Sequence, residues 1–292
     1  MADDSLQQML QKVEHAQKGA REARKKNEPV QLQSQQLEVV ELEKYEQLPI
    51  WASTFRGVPN SILRSALFGA TKRGKRAYFN AAKKASVDGI TVVHTGPALD
   101  QADLDVWEQC LDLAKTGGLG VEIQFSDRAF LKAIGRSTGK SDREWLKDSF
   151  RRLMTSLVEL EDGSKAYAGQ LIHHWYRDEN TGHQCMILNP KLASMFGVNT
   201  WTAISSEERK ALKGQPIAQW LHGFYCTHAD PFPYKVETIY KLCGSESKNI
   251  FHFKSNLKEA LIYLEKSTNW SCTIDEFDLV QIKKPKKLKK IL

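Results

Sequence analysis

The sequence predicts an α+β fold in which one module occurs twice in tandem. The first observation is the stretch from Tyr234 to Lys266, which has the pattern of a short strand, a helix, a glycine turn and a longer second helix. The second is a pair of short strand candidates directly behind it, at 271–273 and 277–282. The third is the same order of elements in the first half of the chain. A helix-turn-helix followed by a β-hairpin is a winged helix, so the sequence predicts two winged-helix domains.

The longer helix of the second module has one apolar face. Its apolar residues recur at helical spacing, and they are Ile250, Phe253, Leu257, Leu261 and Leu264. The opposite face carries hydrogen-bonding side chains: Lys248, His252, Ser255 and Glu259, with Asn249 and Asn256 beside them. Base edges in the major groove present fixed donors and acceptors, so this arrangement predicts DNA binding. We expect Lys248, His252 and Ser255 nearest the bases, with Asn249 and Asn256 flanking them. An ordinary surface helix is the alternative.

Composition and pattern divide the chain into four parts. The start is rich in Gln, Glu, Lys and Arg, and the end contains the run KKPKKLKK, with six lysines and Pro285 as a breaker. The predicted parts are a flexible N-terminal arm (1–47), winged-helix domain 1 (48–188), winged-helix domain 2 (189–282) and a basic C-terminal tail (283–292). Beside a DNA-binding module, this tail is expected to contact phosphates.

Capping residues and periodicity predict the elements of both domains. In the first domain they are a strand at 90–95, a helix capped by Asp100 or Asp103 and ended at Gly117 and Gly118, a strand at 121–125, a helix at 127–134 capped by Ser126, a long helix at 142–157, and strands at 158–160, 167–176 and 184–188. The second domain begins with a helix capped by Ser205 or Ser206 and continues with a helix at 217–228.

The long helix of the first domain is basic, and we expect it to make a second, less selective DNA contact. The candidate residues are Arg136, Lys140, Lys147, Arg151 and Arg152. Glu144 and Asp148 point outward on the same helix, and carboxylates repel phosphates unless they are aimed at cytosine. The helix is therefore expected to position the protein rather than to select bases. The alternative is a solvated helix face with internal ion pairs, such as Asp148 with Arg152.

Composition restricts the class of partner. The chain has 292 residues, enough for about two domains, and a formal net charge of +7 with a pI near 9.0. This charge favours an anionic partner but does not choose between nucleic acid and membrane. The sequence has no apolar run approaching the roughly 18 residues of a membrane span, and its start is polar. We therefore expect a cytoplasmic protein without a membrane partner.

Residues suited to catalysis, metal binding or nucleotide binding do not have the spacing that those chemistries need. The five cysteines are widely separated, lack a CxxC pair for zinc, and are expected to be reduced core residues. His173 and His174 are adjacent on a predicted strand, where neighbouring side chains point to opposite faces, so no metal pair is expected. The runs GATKRGK and GRSTGKS lack a GxxxxGK(S/T) motif placed after a hydrophobic strand, and in GRSTGKS the spacing between the two glycines is also one residue short. The sequence therefore predicts a protein that is not an enzyme, with no catalytic residue, metal or cofactor.

Several stretches resemble one known family. The run WTAISSEERKALKGQPIAQWLHGFYCTHADPFPYKVETIYKLCGS in the second half resembles the TrfA family of plasmid replication initiators. RSALF (64–68) and DLDVWEQCLDLAK (103–115) in the first half agree with it, so the resemblance extends from about residue 48 to 282 in the same order. It implies two winged-helix domains that bind directly repeated double-stranded origin sequences, called iterons, open the origin nearby and recruit the host replicative helicase and initiator machinery.

The resemblance also implies further partners and a bacterial cytoplasmic location. Family members can carry a peptide that docks on the sliding clamp, and the nearest matches here are QLEVV (36–40) and QLPIW (47–51). Neither is a full match, so a linker role is favoured for both. Such initiators bind repeats as monomers and are inactive as homodimers, with the first domain supplying the dimer surface. Ile90, Val92 and Val93 are a candidate edge strand for that surface, or else simply core.

Two other classes of function remain open from the sequence alone. A winged-helix transcription regulator would also bind DNA, but it would neither melt an origin nor recruit a helicase. A rolling-circle nickase would form a covalent adduct between the protein and DNA.

Overall fold

The computed structural model describes residues 46–71, 74, 76–87, 89–163, 166–178 and 183–285. Almost all of the predicted N-terminal arm, and the predicted tail beyond Pro285, lie outside the described residues. Within these ranges the chain forms eight α-helices, namely α1 (Asn60–Leu63), α2 (Gln101–Gly117), α3 (Asp127–Ala133), α4 (Lys140–Thr155), α5 (Ser206–Ala211), α6 (Pro216–Cys226), α7 (Val236–Leu242) and α8 (Ile250–Thr268). A short 3-10 helix spans Pro190–Met195.

The strands of the described ranges form five small sheets. They are β1 (Phe55–Pro59), β2 (Phe68–Gly69), β3 (Tyr78–Lys84), β4 (Thr91–Pro97), β5 (Leu99–Asp100), β6 (Ile123–Phe125), β7 (Leu157–Glu161), β8 (Ala166–Gln170), β9 (Ile172–Arg177), β10 (Gln184–Leu188), β11 (Trp201–Ser205), β12 (Tyr234–Lys235), β13 (Ser271–Ile274) and β14 (Leu279–Lys283). Their orders are β1-β11, β2-β5, β3-β4-β7-β8, β6-β10-β9 and β12-β14-β13. The chain therefore mixes helices and sheets, as predicted.

The two halves of the chain, 46–205 and 206–285, repeat one order of elements. In the first half α2, β6, α3 and α4 are followed, after β7 and β8, by the hairpin of β9 and β10. In the second half α6, β12, α7 and α8 are followed by the hairpin of β13 and β14. In each half the strand after the first of these helices pairs antiparallel with the last strand of the hairpin, β6 with β10 and β12 with β14. The predicted order of elements is thus present in both halves.

Local capping signals fix the ends of α2. Asp100 is the N-cap, and its Oδ1 accepts hydrogen bonds from the backbone N–H groups of Ala102 and Asp103, both at 2.9 Å. Asp103 returns the contact, because its Oδ2 accepts from the N–H of Asp100 at 3.2 Å. This reciprocal capping box explains why the sequence allowed either aspartate as the cap. The helix ends at Gly117, and Gly118 has a φ of 93°, a conformation that glycine adopts without strain.

The structure corrects two predicted elements in the first half, the long helix and the strand at 167–176. The long helix α4 begins at Lys140 rather than 142 and ends at Thr155 rather than 157, because Gly139 and Ser156 are both extended. The single strand predicted at 167–176 is two strands, β8 and β9, which belong to different sheets. The break lies at Leu171, whose side chain is fully buried.

Each half contributes a hydrophobic core. The first core is built from residues 48–204 and includes Trp107, and the second comes mainly from residues 212–282 and includes Phe253. The first core continues past the domain boundary predicted at residue 188, because β11 pairs with β1 and Ile204 is buried there. The division into the two domains as predicted stays a prediction.

The candidate dimer strand is an interior strand. β4 pairs with β3 on one side and with β7 on the other, so its backbone has no free edge. Val92 is fully buried, as expected for the alternative interpretation, in which this strand belongs to the core. The edge-strand interpretation of Ile90, Val92 and Val93 was therefore wrong.

The pentad QLPIW is part of the first core. Leu48 and Trp51 are buried, and Trp51 Nε1 donates a hydrogen bond to Asp112 at 3.0 Å. Two of the three apolar residues of this pentad are therefore engaged within the fold, whereas Ile50 is exposed. The other pentad, QLEVV at 36–40, lies outside the described residues. No helix in the described part of the chain is long and apolar enough to cross a bilayer.

Candidate nucleic-acid interface

A cleft of about 1030 Å³ lies where residues of both halves meet. The first half contributes polar residues of α2 together with Ile134 and Arg136. The second half contributes the turn before α8 and one side of α8 itself, and these lining residues are Ser245, Glu246, Ser247, Lys248, His252, Ser255, Asn256, Glu259 and Ala260. Four of the five residues predicted to contact or flank bases, together with Arg136, therefore line one cleft.

Helix α8 is anchored by its apolar face. Phe253, Leu257 and Leu264 are fully buried in the second core, as the periodicity predicts. Asn249 is the N-cap, and its Oδ1 accepts a hydrogen bond from the N–H of His252 at 3.0 Å. The side chain of Asn249 was predicted to flank the bases, but here it satisfies an N–H group that the helix leaves without a partner.

The outward face of α8 contains residues that the sequence analysis missed. Phe251, Ser255, Lys258 and Ile262 follow one another at intervals of four, three and four residues, and all are exposed. Of these only Ser255 was predicted. Phe251 could have been found, because it is an aromatic residue that lies off the apolar stripe of Phe253 and Leu257.

Arg136 sits in the cleft wall but is held by its own half. Its Nη1 is 2.8 Å from Asp142 Oδ1, and its guanidinium lies 3.4 Å from the ring centroid of Trp145. Stacking on an indole ring and pairing with a carboxylate fix both the plane and the direction of the guanidinium.

The other basic residues predicted in the first half divide into two groups. Lys140 opens α4 and is exposed, while Lys147 and Arg151 pair with Glu144 at 3.0 Å and with Asp148 at 2.7 Å. Arg152 instead faces inward, and its Nη2 lies 2.6 Å from Asp103 Oδ1. The ion pair considered from sequence, Asp148 with Arg152, is thus replaced by Asp148 with Arg151.

A buried ionic cluster connects the two halves beneath the cleft. Arg209 of α5 donates from Nε to Asp105 Oδ1 at 2.7 Å. Its other nitrogens donate to the backbone oxygens of Gln101 and Gln219, both at 3.0 Å. Glu108 lies 3.7 Å from Arg209, and burial raises the pKa of Glu108 to about 7 although Arg209 opposes this effect. One guanidinium therefore holds α2 of the first half against α6 of the second.

The predicted tail begins one residue too early, because Lys283 is the last residue of β14 and pairs with β13. Lys284 also contacts the fold. Its Nζ donates hydrogen bonds to the backbone oxygens of Tyr225 and His228, both at 2.6 Å. These carbonyls lie at and beyond the C-terminal end of α6, where the helix leaves acceptors unpaired and favours a cation. The rest of the lysine run, from Lys286 onward, lies outside the described residues.

His173 and His174 lie side by side. The prediction that their side chains point to opposite faces of the strand was wrong. Their ring centroids are 4.5 Å apart, because the pairing register of β9 and β10 shifts between Ile187 and Leu188. A bulge of this kind interrupts the alternation of side chains along a strand. Among the residues that the structure describes, no group of three or more His, Cys, Asp or Glu side chains could hold a metal ion.

Comparison with solved structures supports the described fold. Crystal structures of domains 2 and 3 of RctB are similar to this chain, one with a TM-score of 0.53, 11% sequence identity and coverage of 77% of this chain and 98% of that one. A second RctB structure gives a TM-score of 0.50 at 10% identity, covering 76% of this chain and 95% of that one. At such identities the likeness concerns the fold alone.

Comparison of sequences gives the family. The plasmid replication initiator protein TrfA of Escherichia coli is 25% identical over 237 residues, which are 77% of this chain and 60% of that protein. The aligned part of this chain thus spans less than two thirds of that relative. The match to the TrfA protein family covers residues 10–284, and so includes α2, α4, α8 and the cleft between the halves. The chain therefore belongs to the TrfA protein family.

Proposed function

We propose that this chain is a plasmid replication initiator that binds repeated double-stranded origin sequences, the iterons, through two winged-helix domains. Family membership and the repeated order of helices and hairpin in both halves support this function. The observation that carries it is the geometry of α8, which is fixed by a buried apolar face and exposes His252 and Ser255 beside Lys248. Residues at the start of a recognition helix are the ones that contact base edges.

Helix α4 of the first half supplies the second contact in this proposal. Lys140, Lys147 and Arg151 are exposed or half-buried, and we assign them to phosphate contacts. The ion pairs of Lys147 and Arg151 join residues three positions apart on the helix surface, and such pairs contribute only about 0 to 1 kcal/mol. Both cations can therefore leave their carboxylates for a phosphate at little cost. Arg136 and Arg152, which are held by Asp142 and Asp103, support the helix instead.

The remaining roles rest on the family alone. We propose that the bound protein opens the origin and recruits the host helicase and initiator machinery, in the bacterial cytoplasm and without catalysis of its own. The inactive homodimer stays part of the proposal, with a surface other than β4. A sliding-clamp contact would fall to QLEVV at 36–40, because Leu48 and Trp51 of QLPIW are buried.

Replacing Lys248 or Ser255 with alanine is expected to weaken binding to a duplex carrying one origin repeat by about 1 to 3 kcal/mol, if the replaced side chain bonds well to a base. Fluorescence anisotropy on that duplex and on a scrambled duplex of equal length measures the effect. Lys266→Ala is the control, because this exposed lysine lies in the last turn of the same helix. Equal weakening on both duplexes would assign the two residues to the DNA backbone.

Reversing the charges of Lys147 and Arg151 to glutamate is expected to weaken binding on repeat and scrambled DNA alike. For each phosphate that the variant no longer neutralises, the slope of log affinity against log salt should fall in magnitude by about 0.9. Binding is measured between about 50 and 200 mM salt. Lys191→Glu combined with Lys266→Glu, two exposed lysines outside α4, is the control because it makes the same change in net charge. An unchanged affinity and slope would refute the second contact.

A further inference from the structure

Phe251 is an exposed aromatic residue in the first turn of α8. Its side chain is 81% exposed, whereas Phe253, two positions later, is fully buried. Exposure of a large apolar side chain brings no stability to the folded chain, because the hydrophobic effect rewards only the apolar area removed from water. The fold therefore gives no reason for a phenylalanine at position 251.

The neighbours of Phe251 are residues suited to DNA. Ser255 lies one turn further along the same outward face, and His252 is the next residue in the chain. Lys248 precedes the helix, and Lys258 continues the outward row. A recognition helix contacts base edges in the major groove with its N-terminal residues, and Phe251 lies in the first turn of α8.

The chemistry of the major groove restricts what a phenyl ring can contact there. G, C and A present hydrogen-bond donors and acceptors, while thymine also presents the apolar C5-methyl group. Binding is favoured when a phenyl ring covers a methyl group, and it is disfavoured when the ring covers a donor or acceptor that is left without a hydrogen-bond partner. We propose that Phe251 is a specificity-determining residue that packs on the C5-methyl group of a thymine in the origin repeat. This proposal rests on the proposed function.

A protein surface is the rival occupant of this position, since exposed aromatic residues also occur where proteins bind each other. Phe277, at the turn between β13 and β14, fits that role better because Asp275 and Glu276 precede it, and their negative charge repels phosphates. The charged residues next to Phe251 along α8 are cations instead. Lys254 is neutralised by Asp278. The positive charge near Phe251 therefore comes from the exposed Lys248 and Lys258. This positive charge favours DNA over a protein surface as the partner of Phe251.

Uracil substitution tests the proposal, because uracil differs from thymine only by the missing C5-methyl group. The probes are duplexes with one repeat from the protein's own plasmid origin, each with a single thymine replaced by uracil. The wild-type chain is expected to bind one of these duplexes about fourfold more weakly than the thymine duplex, as burial of one methyl-sized group implies. Phe251→Ala is expected to bind both duplexes equally, and Phe251→Leu to keep part of the difference. Phe277→Ala, the matched control, should keep all of it.

The outcomes separate this proposal from the one on which it rests. A wild-type chain that prefers the repeat over scrambled DNA, yet tolerates uracil at every position, would overturn the role of Phe251 and leave the proposed function intact. A Phe251→Ala variant with the full uracil penalty would also overturn it. A wild-type chain with no preference for the repeat would refute the proposed function itself. Far-ultraviolet circular dichroism of each variant verifies that the helix content of the chain is unchanged.

Discussion

Replacing Arg209 with methionine is expected to lower the free energy of unfolding by about 3 to 5 kcal/mol, because it leaves Asp105 and Glu108 without their buried cation. The guanidinium is almost fully buried. Its removal takes the donor from four hydrogen-bond acceptors, namely Asp105 Oδ1, the backbone oxygens of Gln101 and Gln219, and Gln101 Oε1. This is one of the two largest effects that we expect from a single substitution. Denaturant unfolding at pH 7 measures it.

The dependence of this loss on pH provides a second test. Without Arg209, nothing at this position opposes the effect of burial, and the pKa of Glu108 should rise above its present value of about 7. A carboxyl whose folded-state pKa is raised favours the folded chain at low pH and ceases to do so as pH rises through that pKa. The loss caused by Arg209→Met is therefore expected to be larger at pH 8 than at pH 5.

The control is Arg151→Met, which removes an exposed cation paired with Asp148. It should change the free energy of unfolding by less than about 1 kcal/mol, because exposed ion pairs contribute little. If the two methionine variants were equally stable, the account of Arg209 as the link between the halves would be wrong.

Replacing Phe253 with alanine is expected to cost about 3 to 5 kcal/mol of stability, as truncation of a buried aromatic residue usually does. Its ring is fully buried, with its centroid 5.0 Å from that of Tyr240 on α7. Thermal or denaturant unfolding measures the loss. Phe251→Ala is the matched control, since it removes the same side chain two positions earlier and should change stability by about 0.5 kcal/mol or less. A larger loss at Phe251 than at Phe253 would mean that the described face of α8 is incorrect.

Helical periodicity made much of the second half predictable. The apolar stripe from Phe253 to Leu264 identified both α8 and its buried face, because residues three and four apart share one side of a helix. A helical wheel of the same residues also predicted that His252 and Ser255 are exposed. It could not assign Asn249, because an asparagine just before a helix suits both an N-cap and a base contact.

Contacts between distant residues were not predictable in this way. Arg152 and Arg209 pair with aspartates 49 and 104 positions earlier in the chain, and nothing in the local pattern of either arginine indicates such a partner. The neighbours of β4 in its sheet were equally hidden, because a run of β-branched residues has the same pattern at an edge as in the interior. The side-by-side rings of His173 and His174 depend on a bulge that strand alternation does not include.

Footprinting on the protein's own plasmid tests the central claim, that two DNA-binding modules place this chain on repeated origin sequences. Hydroxyl-radical cleavage of the origin should reveal evenly spaced protected repeats beside an AT-rich segment. Each repeat should contain two protected stretches of backbone, one for α8 and one for α4. At a protein concentration that saturates the α8 stretch, charge reversal at Lys147 and Arg151 should weaken protection of the α4 stretch alone. A single protected operator without repeats would indicate a transcription regulator, and a covalent adduct between protein and DNA would indicate a nickase. Either result would contradict the account.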